Sequence, residues 1–433
     1  MNNEKQDELN KRMQDTIENF LRQIDGHRNS FPVLMNALIS QTQIKMKDLG
    51  KFLRENGIEK PASGTKGTIT IPPHLHTDFI ENIKNATSSR FAMRNMPRSV
   101  IVSMVSSYDA LIGNLIRIIY KANEESLNSL NTVIPISEIL GFSDIEEIKS
   151  YAVEKQVETV LRSNHEEQLE WLEKKIGVNT LRDFEHFKDF IEVMERRNLF
   201  VHADGKVSRQ YIDQCRKAGL TVDVTLGDTL TADYAYVRKS YDIIAETGIK
   251  VTQVVWRKLG LGLNACDDSL QDITFNYLCR KQYDLANNLL RFAMLPAVKH
   301  VDSEYEWVFR VNLALSYYLA GNRNKSDEIV KGYDWSALKA SYRLAAAVLF
   351  EDNDTACDIM REIGADKDYK TYYQKWPLFR EFRKMDAFRQ TYEELYKEPF
   401  SYQEKDEFKW KKFLAEAQQI MAEEEAAEKE GGK

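Results

Sequence analysis

The sequence predicts an all-α protein: a helical bundle that carries a small extended or hairpin insert, followed by a degenerate α-helical repeat domain. Three observations predict this class. Glycine and proline are sparse, at 19 and 9 of 433 residues. Apolar residues recur three and four positions apart over most of the chain, which is the spacing of amphipathic helices. Alternation of strand type is confined to short stretches, chiefly residues 220–231.

The composition excludes several classes of function. The net charge of −7 gives no global attraction to nucleic acid, although a local basic cleft is compatible with it. The four cysteines form no CxxC pair and no nucleotide-binding or metalloprotease motif occurs, so no cofactor or metal site is expected. The first residues lack the apolar core of a signal peptide, and Asp109 and Arg117 interrupt the most apolar stretch, 99–120. We therefore expect a cytoplasmic protein without a membrane span.

Residues 1–90 are predicted to form an N-terminal helical segment with a loop. Phe31–Pro32 is expected to break the first helix, because proline lacks the amide hydrogen that a helix interior requires, and a second helix follows. The loop is placed at 60–76, with a short strand at Thr68–Ile71.

Residues 91–260 are predicted to form the helical bundle. Pro97 is expected in the first turn of its most buried helix, since proline suits that position. A long polar helix is expected to end before Gly177, and the next helix to begin at Asn179 or Thr180. That helix ends at the turn 203–205, and its apolar stripe comprises Leu181, Phe184, Phe187, Phe190, Ile191 and Met194.

Residues 266–415 are predicted to form three helix pairs with a weak internal repeat. Lys281, Gly321 and Glu351 each precede a small residue by five positions. A small residue where two helices touch, followed by an apolar pair on the next turn, is typical of tandem helical hairpins. The small residues are Ala286, Ser326 and Ala356, and the apolar pairs are Leu289–Leu290, Ile329–Val330 and Ile359–Met360.

The segment NLALSYYLAGNRNKSDEIV, 312–330, resembles a tetratricopeptide-type hairpin. Aromatic residues from Tyr369 onward predict a terminal pair of capping helices. The acidic tail, 416–433, is predicted to be disordered.

The stretch MERRNLFVHADGK, 194–206, is the chain's strongest chemical signal. It ends an amphipathic helix with arginines, Asn198 and His202, and Asp204–Gly205 then supplies a turn. Arg22 and His27 share the five-residue separation of Arg197 and His202 but lack this context, so no function is assigned to them.

At this point the sequence resembles the HEPN family, whose members are helical bundles with a helix that ends in Arg, a polar residue, a few apolar residues and His. RRNLFVHADGKVSRQYI, 196–212, fits that pattern, and SMVSSYDALIGNLIR, 103–117, is similar to the family's first long helix. The resemblance covers about 95–260. It implies a metal-independent endoribonuclease that acts as a homodimer, with the two motif helices forming one composite cleft.

The resemblance also implies roles for individual residues. Arg197 and His202 would be catalytic, Asn198 would be the polar position after the arginine, and Arg196 is an alternative arginine within the family's spacing. Asp109 could orient this group from the preceding apolar helix, or it could be an ordinary buried or edge acid. Such enzymes often serve in toxin–antitoxin systems or anti-phage defence.

The chemistry of the two residue types suits RNA cleavage. Histidine exchanges protons near neutral pH, and arginine stays charged and can donate two hydrogen bonds to phosphate oxygens. Five residues separate Arg197 and His202, which places them about 140° apart on a straight helix. A dimer eases this problem, because the arginine of one subunit can meet the histidine of the other.

Two other hypotheses stay open. The motif could be a structural helix end, with Arg197 paired to an acid such as Glu195 or Asp204 and His202 capping carbonyls. The bundle would then be an inactive HEPN-like dimerising scaffold whose C-terminal helical repeats bind a protein partner. An unrelated helical protein is the third possibility.

Overall fold

The computed structural model describes residues 3–60, 68–129 and 133–401, and nearly all of its regular structure is helical. This confirms the all-α prediction. The predicted disordered tail, 416–433, and residues 61–67 of the predicted loop lie outside the described residues. In chain order the helices are α1 Asn3–Asn56, α2 His76–Ala122, α3 Ile136–Ile139, α4 Ile145–Arg162, α5 His165–Ile176, α6 Phe187–His202, α7 Arg209–Lys217, α8 Tyr234–Lys258, α9 Leu263–Cys279, α10 Tyr283–Ala293, α11 Ser303–Leu319, α12 Arg323–Lys331, α13 Ala340–Phe350, α14 Asn353–Ile363, α15 Lys367–Lys375 and α16 Asp386–Tyr396.

Two short strands, β1 Ile58–Lys60 and β2 Thr68–Thr70, pair antiparallel with Ile58 opposite Thr70. The strand predicted at Thr68–Ile71 is thus present. Single 3₁₀ turns lie at Pro73–Leu75, Glu124–Ser129, Pro377–Phe379 and Phe382–Lys384.

The chain forms two units, each drawn from separated parts of the sequence. Of the described residues, unit 1 comprises those within 3–17, 113–183 and 246–401. Unit 2 comprises those within 18–112 and 184–245. Helices α1, α2 and α8 contribute residues to both units. The domains predicted from the sequence, 1–90, 91–260, 266–415 and 416–433, stay a prediction.

Pro32 lies inside α1, so the predicted helix break is wrong. An interior proline costs a helix about 3 kcal/mol, and packing in unit 2 offsets this cost. Phe31 is 3% exposed and stacks on the ring of Tyr234, with 5.5 Å between the ring centroids. Arg28, one turn earlier, lies over the ring of Tyr241 at 4.7 Å. Tertiary contacts on both sides of Pro32 therefore keep α1 continuous.

Pro97 also lies inside a helix, so its predicted place in a first turn is wrong. Helix α2 begins at His76, well before Pro97. Buried residues precede it as well as follow it, among them Ala86 and Met93. Of the described residues, only the stretch Pro73–Ala122 is long and apolar enough, by length and composition, to cross a membrane. Its apolar window is 61% buried within the protein, as in the core helix of a folded domain.

The helix predicted from Asn179 or Thr180 begins seven or more residues later, at Phe187. The reason lies in unit 1, where the buried carboxylate of Glu173 accepts the backbone N–H groups of Leu181, at 2.9 Å, and Arg182, at 3.3 Å. These amides are held in a turn and do not enter a helix. The predicted stop at Gly177 is confirmed, since Gly177 caps α5 in the left-handed conformation, φ 70°.

Three helical hairpins follow α8 in unit 1: α9–α10, α11–α12 and α13–α14. The first helices of the hairpins pack in order, α9 on α11 and α11 on α13. The connecting turns share one backbone conformation. Lys281, Gly321 and Glu351 have φ values of 59°, 82° and 61°.

The same hydrogen bond closes each of these turns, and the residue after the left-handed position donates it. The backbone N–H groups of Gln282, Asn322 and Asp352 bond the carbonyls five residues earlier, at 2.9, 2.8 and 3.0 Å. This is the glycine-type helix ending, although two of the three positions hold Lys and Glu. The three small residues named from the sequence, Ala286, Ser326 and Ala356, are each 0% exposed.

A buried charged cluster joins α8, α9 and the loop before α11 within unit 1. The Asp267 carboxylate accepts hydrogen bonds from Arg257 Nη2 at 2.7 Å and from the backbone N–H of Val301 at 2.9 Å. His300 Nδ1 lies 2.8 Å from the same carboxylate, and Asp267 is fully buried. Burial raises the pKa of Asp267, but bonds from His300 and Arg257 outweigh burial and lower it overall.

The first prediction concerns this cluster. Asp267→Asn removes the negative charge that is paired with the buried Arg257, so we expect the unfolding free energy of unit 1 to fall by about 3 kcal/mol. Because the folded pKa of Asp267 is lowered from 3.8, its contribution is complete above that value and is lost as the pH falls below it. Denaturant midpoints measured between pH 7 and pH 3 should show that the wild-type advantage shrinks at the acid end.

Asp284→Asn is the matched control, because Asp284 is exposed on α10. We expect it to unfold like the wild type at every pH. A pH-independent gap between Asp267→Asn and the wild type would contradict the proposed role of the Asp267 charge.

Candidate active site

Helix α6 in unit 2 carries the motif. Its apolar side is packed in the core, and this packing determines which residues of the helix face outward. Phe190, Val193, Met194 and Leu199 are at most 4% exposed. The ring of Tyr108, on α2, meets the ring of Phe190 edge-on at 5.1 Å. This burial leaves Arg196, Arg197 and Asn198 partly exposed and His202 exposed at the last residue of the helix.

The end of α6 is fixed by its turn. The backbone N–H of Gly205 bonds the carbonyl of Leu199 at 3.0 Å, and Asp204 and Gly205 adopt φ values of 49° and 78°. Arg98, from α2, donates to the Asp204 carboxylate at 2.9 Å and lies over the Phe200 ring at 5.2 Å. The turn predicted at 203–205 is therefore present, and α2 anchors it.

The segment predicted as an extended or hairpin insert, 220–231, forms no strand or hairpin and turns at Leu226–Gly227. It pairs with the residues after α6 through one isolated bridge, between Lys206 and Thr229. The backbone N–H of Leu230 donates to the Gly205 carbonyl at 2.8 Å. Its apolar side chains cover a small cluster after the helix, which comprises Leu199, Val207, Tyr211 and Cys215.

Arg196 belongs to a buried polar group, here called the Glu192 network, formed by Glu192, Arg196, Tyr211 and Tyr236. Glu192 Oε1 accepts from Arg196 Nε at 2.6 Å and from the Tyr211 hydroxyl at 2.8 Å. Glu192 Oε2 accepts from the Tyr236 hydroxyl at 2.8 Å. Arg196 also donates to the carbonyl of Thr231 and lies 4.1 Å from the centre of the Tyr236 ring. The contacts of Arg196 are therefore directed inward.

Burial and charge act together on this network. Burial raises the pKa of Tyr236 and of Tyr211, and the Glu192 charge raises both further. Burial alone lowers the pKa of Arg196, but Tyr236 and Glu192 reverse this and raise it. At neutral pH the tyrosines thus keep their hydroxyl protons and donate to the carboxylate.

Arg197, the next residue, is placed differently. Its Nη2 lies 3.8 Å from Asp109 Oδ2, and its Nη1 donates to Asn198 Oδ1 at 3.1 Å. Arg197 Nε is buried without a hydrogen-bond partner among the described residues. Burial raises the pKa of the neighbouring Tyr108 well above its ordinary value, and the Asp109 charge adds to this effect.

Asn198 continues the group from Arg197. Its Nδ2 lies 3.5 Å from Glu195 Oε1, and Gln210 Nε2 lies 3.4 Å from Glu195 Oε2. The structure thus brings together Asp109, Arg197 and Asn198, with Glu195 and Gln210 behind them. The acid that pairs with Arg197 is Asp109 rather than Glu195 or Asp204.

His202 stands apart from that group in the single chain. It is exposed, and in the described ranges no hydrogen bond or ion pair engages its ring. No such contact joins it to Arg197 or Asn198. This agrees with the wide angle expected from five helical residues, because α6 stays helical up to His202.

The second pair with this spacing is set in a different environment. Arg22 and His27 lie within α1, which continues past both of them, so the helix break expected there does not occur. Arg22 donates to Asn19 one turn earlier, at 3.3 Å, and burial lowers the pKa of the His27 ring. Among the described residues, the same separation thus occurs without a helix end and without an acid paired to the arginine.

Within the part of the chain that the structure describes, no three His, Cys, Asp or Glu side chains are grouped as a metal ion would need.

Comparison with known proteins gives no match: no family model, no curated protein and no solved structure matches this chain. The resemblance to HEPN proteins therefore rests on the residues of the sequence motif alone.

Reasoning from sequence missed the partners of Arg196 and the anchor of the turn after His202. Glu192, Tyr211 and Tyr236 form the Glu192 network, and Arg98 holds the turn after His202. The spacing of Glu192 and Arg196, four residues apart on a helix, was the available signal for the first contact. The tyrosines come from α7 and α8, and no local pattern points to them.

The second prediction separates the two adjacent arginines. Arg196→Ala leaves the buried Glu192 without its cation, so we expect the unfolding free energy to fall by about 3 kcal/mol. Arg197→Ala removes a partly exposed, 3.8 Å ion pair and should cost about 1 kcal/mol or less. Denaturant unfolding of the two variants measures this difference. Equal costs would show that Arg196 is not held as described.

The third prediction concerns the turn that fixes the end of α6. A Cβ at position 205 would lie 2.6 Å from the backbone oxygen of Leu230, and the residue has φ 78°. We expect Gly205→Ala to destabilise unit 2 by about 3 kcal/mol, since clash and left-handed strain add.

Gly219→Ala is the matched control. Gly219 has φ 82° but nothing within 4 Å of an added Cβ, so only the strain remains, about 1 kcal/mol. Thermal unfolding of both variants tests the difference. Similar losses in the two variants would mean that the contact with the Leu230 carbonyl does not constrain the turn.

Proposed function

We propose that this protein is a metal-independent endoribonuclease of HEPN type that cleaves RNA in a composite cleft of a homodimer. His202 is the proton shuttle and Arg197 stabilises the charge on the phosphate, with Asn198 beside it. The observation that carries the proposal is the contrast between the two arginines. Arg196 is held inside the Glu192 network by a 2.6 Å bond, whereas Arg197 is partly exposed and, besides its bond to Asn198, meets an acid only at 3.8 Å, in Asp109.

The reaction follows from the chemistry of these groups. The 2′-oxygen attacks the adjacent phosphorus and its proton passes to an imidazole, while the bond to the 5′-oxygen breaks and that oxygen takes a proton. The products are a 2′,3′-cyclic phosphate and a 5′-hydroxyl. Arg197 can donate to the phosphate oxygens as negative charge develops on them. Asp109 holds the guanidinium in place before RNA arrives.

The dimer supplies the geometry that one chain lacks. Arg197 faces Asp109 within unit 2, while His202 is exposed at the helix end. If two α6 ends meet, Arg197 of one subunit can approach the partner subunit's His202. Two copies of the reactive pair then share one cleft. A role in a toxin–antitoxin system or in anti-phage defence is added on the family resemblance alone, and a cytoplasmic location on the sequence features given above.

The second candidate is a scaffold with no catalytic role, and one observation favours it. The three hairpins of unit 1 repeat the same left-handed turn, the same closing hydrogen bond and the same buried small residue. This supports a tetratricopeptide-like array, and such arrays commonly bind protein partners. In the first proposal the same array would hold a partner or regulator of the nuclease.

The fourth prediction tests catalysis directly. Purified wild type is expected to cleave a mixed RNA pool in the presence of EDTA and to leave 2′,3′-cyclic phosphates. Arg197→Ala and His202→Ala should each reduce the rate by at least about 100-fold, since each removes a group that acts in the transition state. End analysis of the products and initial rates are the measurements.

The chain provides its own control pair. Arg22→Ala and His27→Ala change residues with the same spacing but outside the site, and both should cleave like the wild type. Equal inactivity of the wild type and both site variants, with each protein folded, would favour the scaffold. In that case a partner captured on the three hairpins becomes the next measurement.

A further inference from the structure

One face of α2 in unit 2 carries basic and aromatic side chains in a line. Lys84, Phe91, Arg94 and Arg98 fall within about 80° of one another at 100° per residue. The opposite side of the helix holds Ala86, Ser89, Met93 and Val100, each at most 8% exposed. The core therefore lies on the far side of α2, and this line of four residues points away from it.

The exposure of these residues supports the same view. Phe91 is 68% exposed, which is unusual for a large aromatic side chain, and Lys84 and Arg94 are exposed. Arg98 is more enclosed, because it bonds the turn that follows His202. We call Lys84, Phe91, Arg94 and Arg98 the basic–aromatic track.

The track leads to the candidate active site along one helix. From Lys84 to Arg98 the axial rise is about 21 Å at 1.5 Å per residue. Asp109, the partner of Arg197, lies eleven residues beyond Arg98 and within about 20° of the same line. Arg98 meanwhile contacts Asp204, two residues after His202. Arg197 and Asp204 thus both contact α2, the helix that carries the track.

We propose that the basic–aromatic track binds single-stranded RNA on its way to the cleft, with a base stacked on Phe91 and phosphates on Lys84 and Arg94. Proteins that hold single strands combine a line of cations with exposed aromatic rings, because every base has a face that can stack. The track would select unpaired RNA rather than a particular sequence. This inference rests on the proposed function for its ligand, but binding can be measured without cleavage.

Other ligands fit the track less well. A membrane surface would be met by a broad apolar face with several large side chains. The exposed apolar side chains on this line, Ile80 and Phe91, are instead separated by Lys84 and followed by Arg94. A duplex would offer its phosphates but no exposed base for Phe91. Charge and ring together therefore favour a single strand over either alternative.

The test is RNA binding by full-length protein with the His202→Ala change, which prevents cleavage during the measurement. Fluorescence anisotropy of a labelled, unstructured 20-nucleotide RNA gives the affinity. Adding Phe91→Ala with Arg94→Gln should weaken binding by at least about tenfold, from the loss of one stacked base and one phosphate contact. The salt dependence of binding should also become shallower, by about one unit of slope.

The control pair on α1 has the same spacing and likewise joins an exposed apolar residue to a cation, but it has no aromatic ring. Ile44 and Lys47 are exposed and three residues apart, as Phe91 and Arg94 are. Ile44→Ala with Lys47→Gln should leave RNA affinity unchanged. If the two double variants bind RNA equally well, the track is not the RNA surface and the inference falls.

Two further ligands complete the experiment. Vesicles of equal parts phosphatidylcholine and phosphatidylserine, and a 20-base-pair RNA duplex, are offered to the same proteins. If the track variant loses vesicle or duplex binding while its single-strand affinity is unchanged, the assignment to single-stranded RNA is overturned. If the track variant binds the single strand more weakly but the wild type does not cleave RNA, the track is supported and the proposed nuclease activity is not. If the wild type cleaves RNA but the track variant binds as tightly as its parent, the nuclease is supported and the track is not.

Discussion

The carboxylate of Glu192 is the group on which the candidate site depends. It is buried in α6 and accepts hydrogen bonds from Arg196, Tyr211 and Tyr236, which come from three different helices. A buried carboxylate is costly unless donors surround it, and these three supply the donors. The same contacts fix α7 and α8 against α6. These contacts therefore determine which side of α6 faces outward.

Two neighbouring arginines acquire different chemical roles from this arrangement. Arg196 is committed to Glu192 and to the ring of Tyr236, so it stabilises the fold. Arg197, about 100° further round the helix, is partly exposed and meets Asp109 only at 3.8 Å, so its guanidinium is less tightly held. A site that must bind a phosphate needs a cation with donors still to offer. Because successive residues of a helix point in different directions, Arg196 stabilises the fold while Arg197 is placed to act on a phosphate.

Much of the local structure was predictable, because it depends on short-range signals. The stop at Gly177, the turn at 203–205 and the positions of the three hairpin turns follow from residues close in sequence. The errors have one physical origin, which is long-range packing that overrides local propensity. The stacking of Phe31 on Tyr234 keeps α1 continuous at Pro32. The Glu173 carboxylate binds backbone amides at the predicted start of the next helix, so that helix begins later. The insert at 220–231 has strand-like alternation but meets only one short backbone partner, so no sheet forms.

The sequence by itself determined the helical class, the amphipathic helix that ends in Arg197, Asn198 and His202, and the residue types able to act on a phosphate. Helical periodicity and turn residues are local properties, so a single sequence reports them. Only the tertiary structure decided which arginine is sequestered and that Asp109 is the acid beside the other. Those choices depend on Tyr211, Tyr236 and Asp109, which lie on other helices and meet α6 only when the chain has folded. No spacing within α6 carries that information.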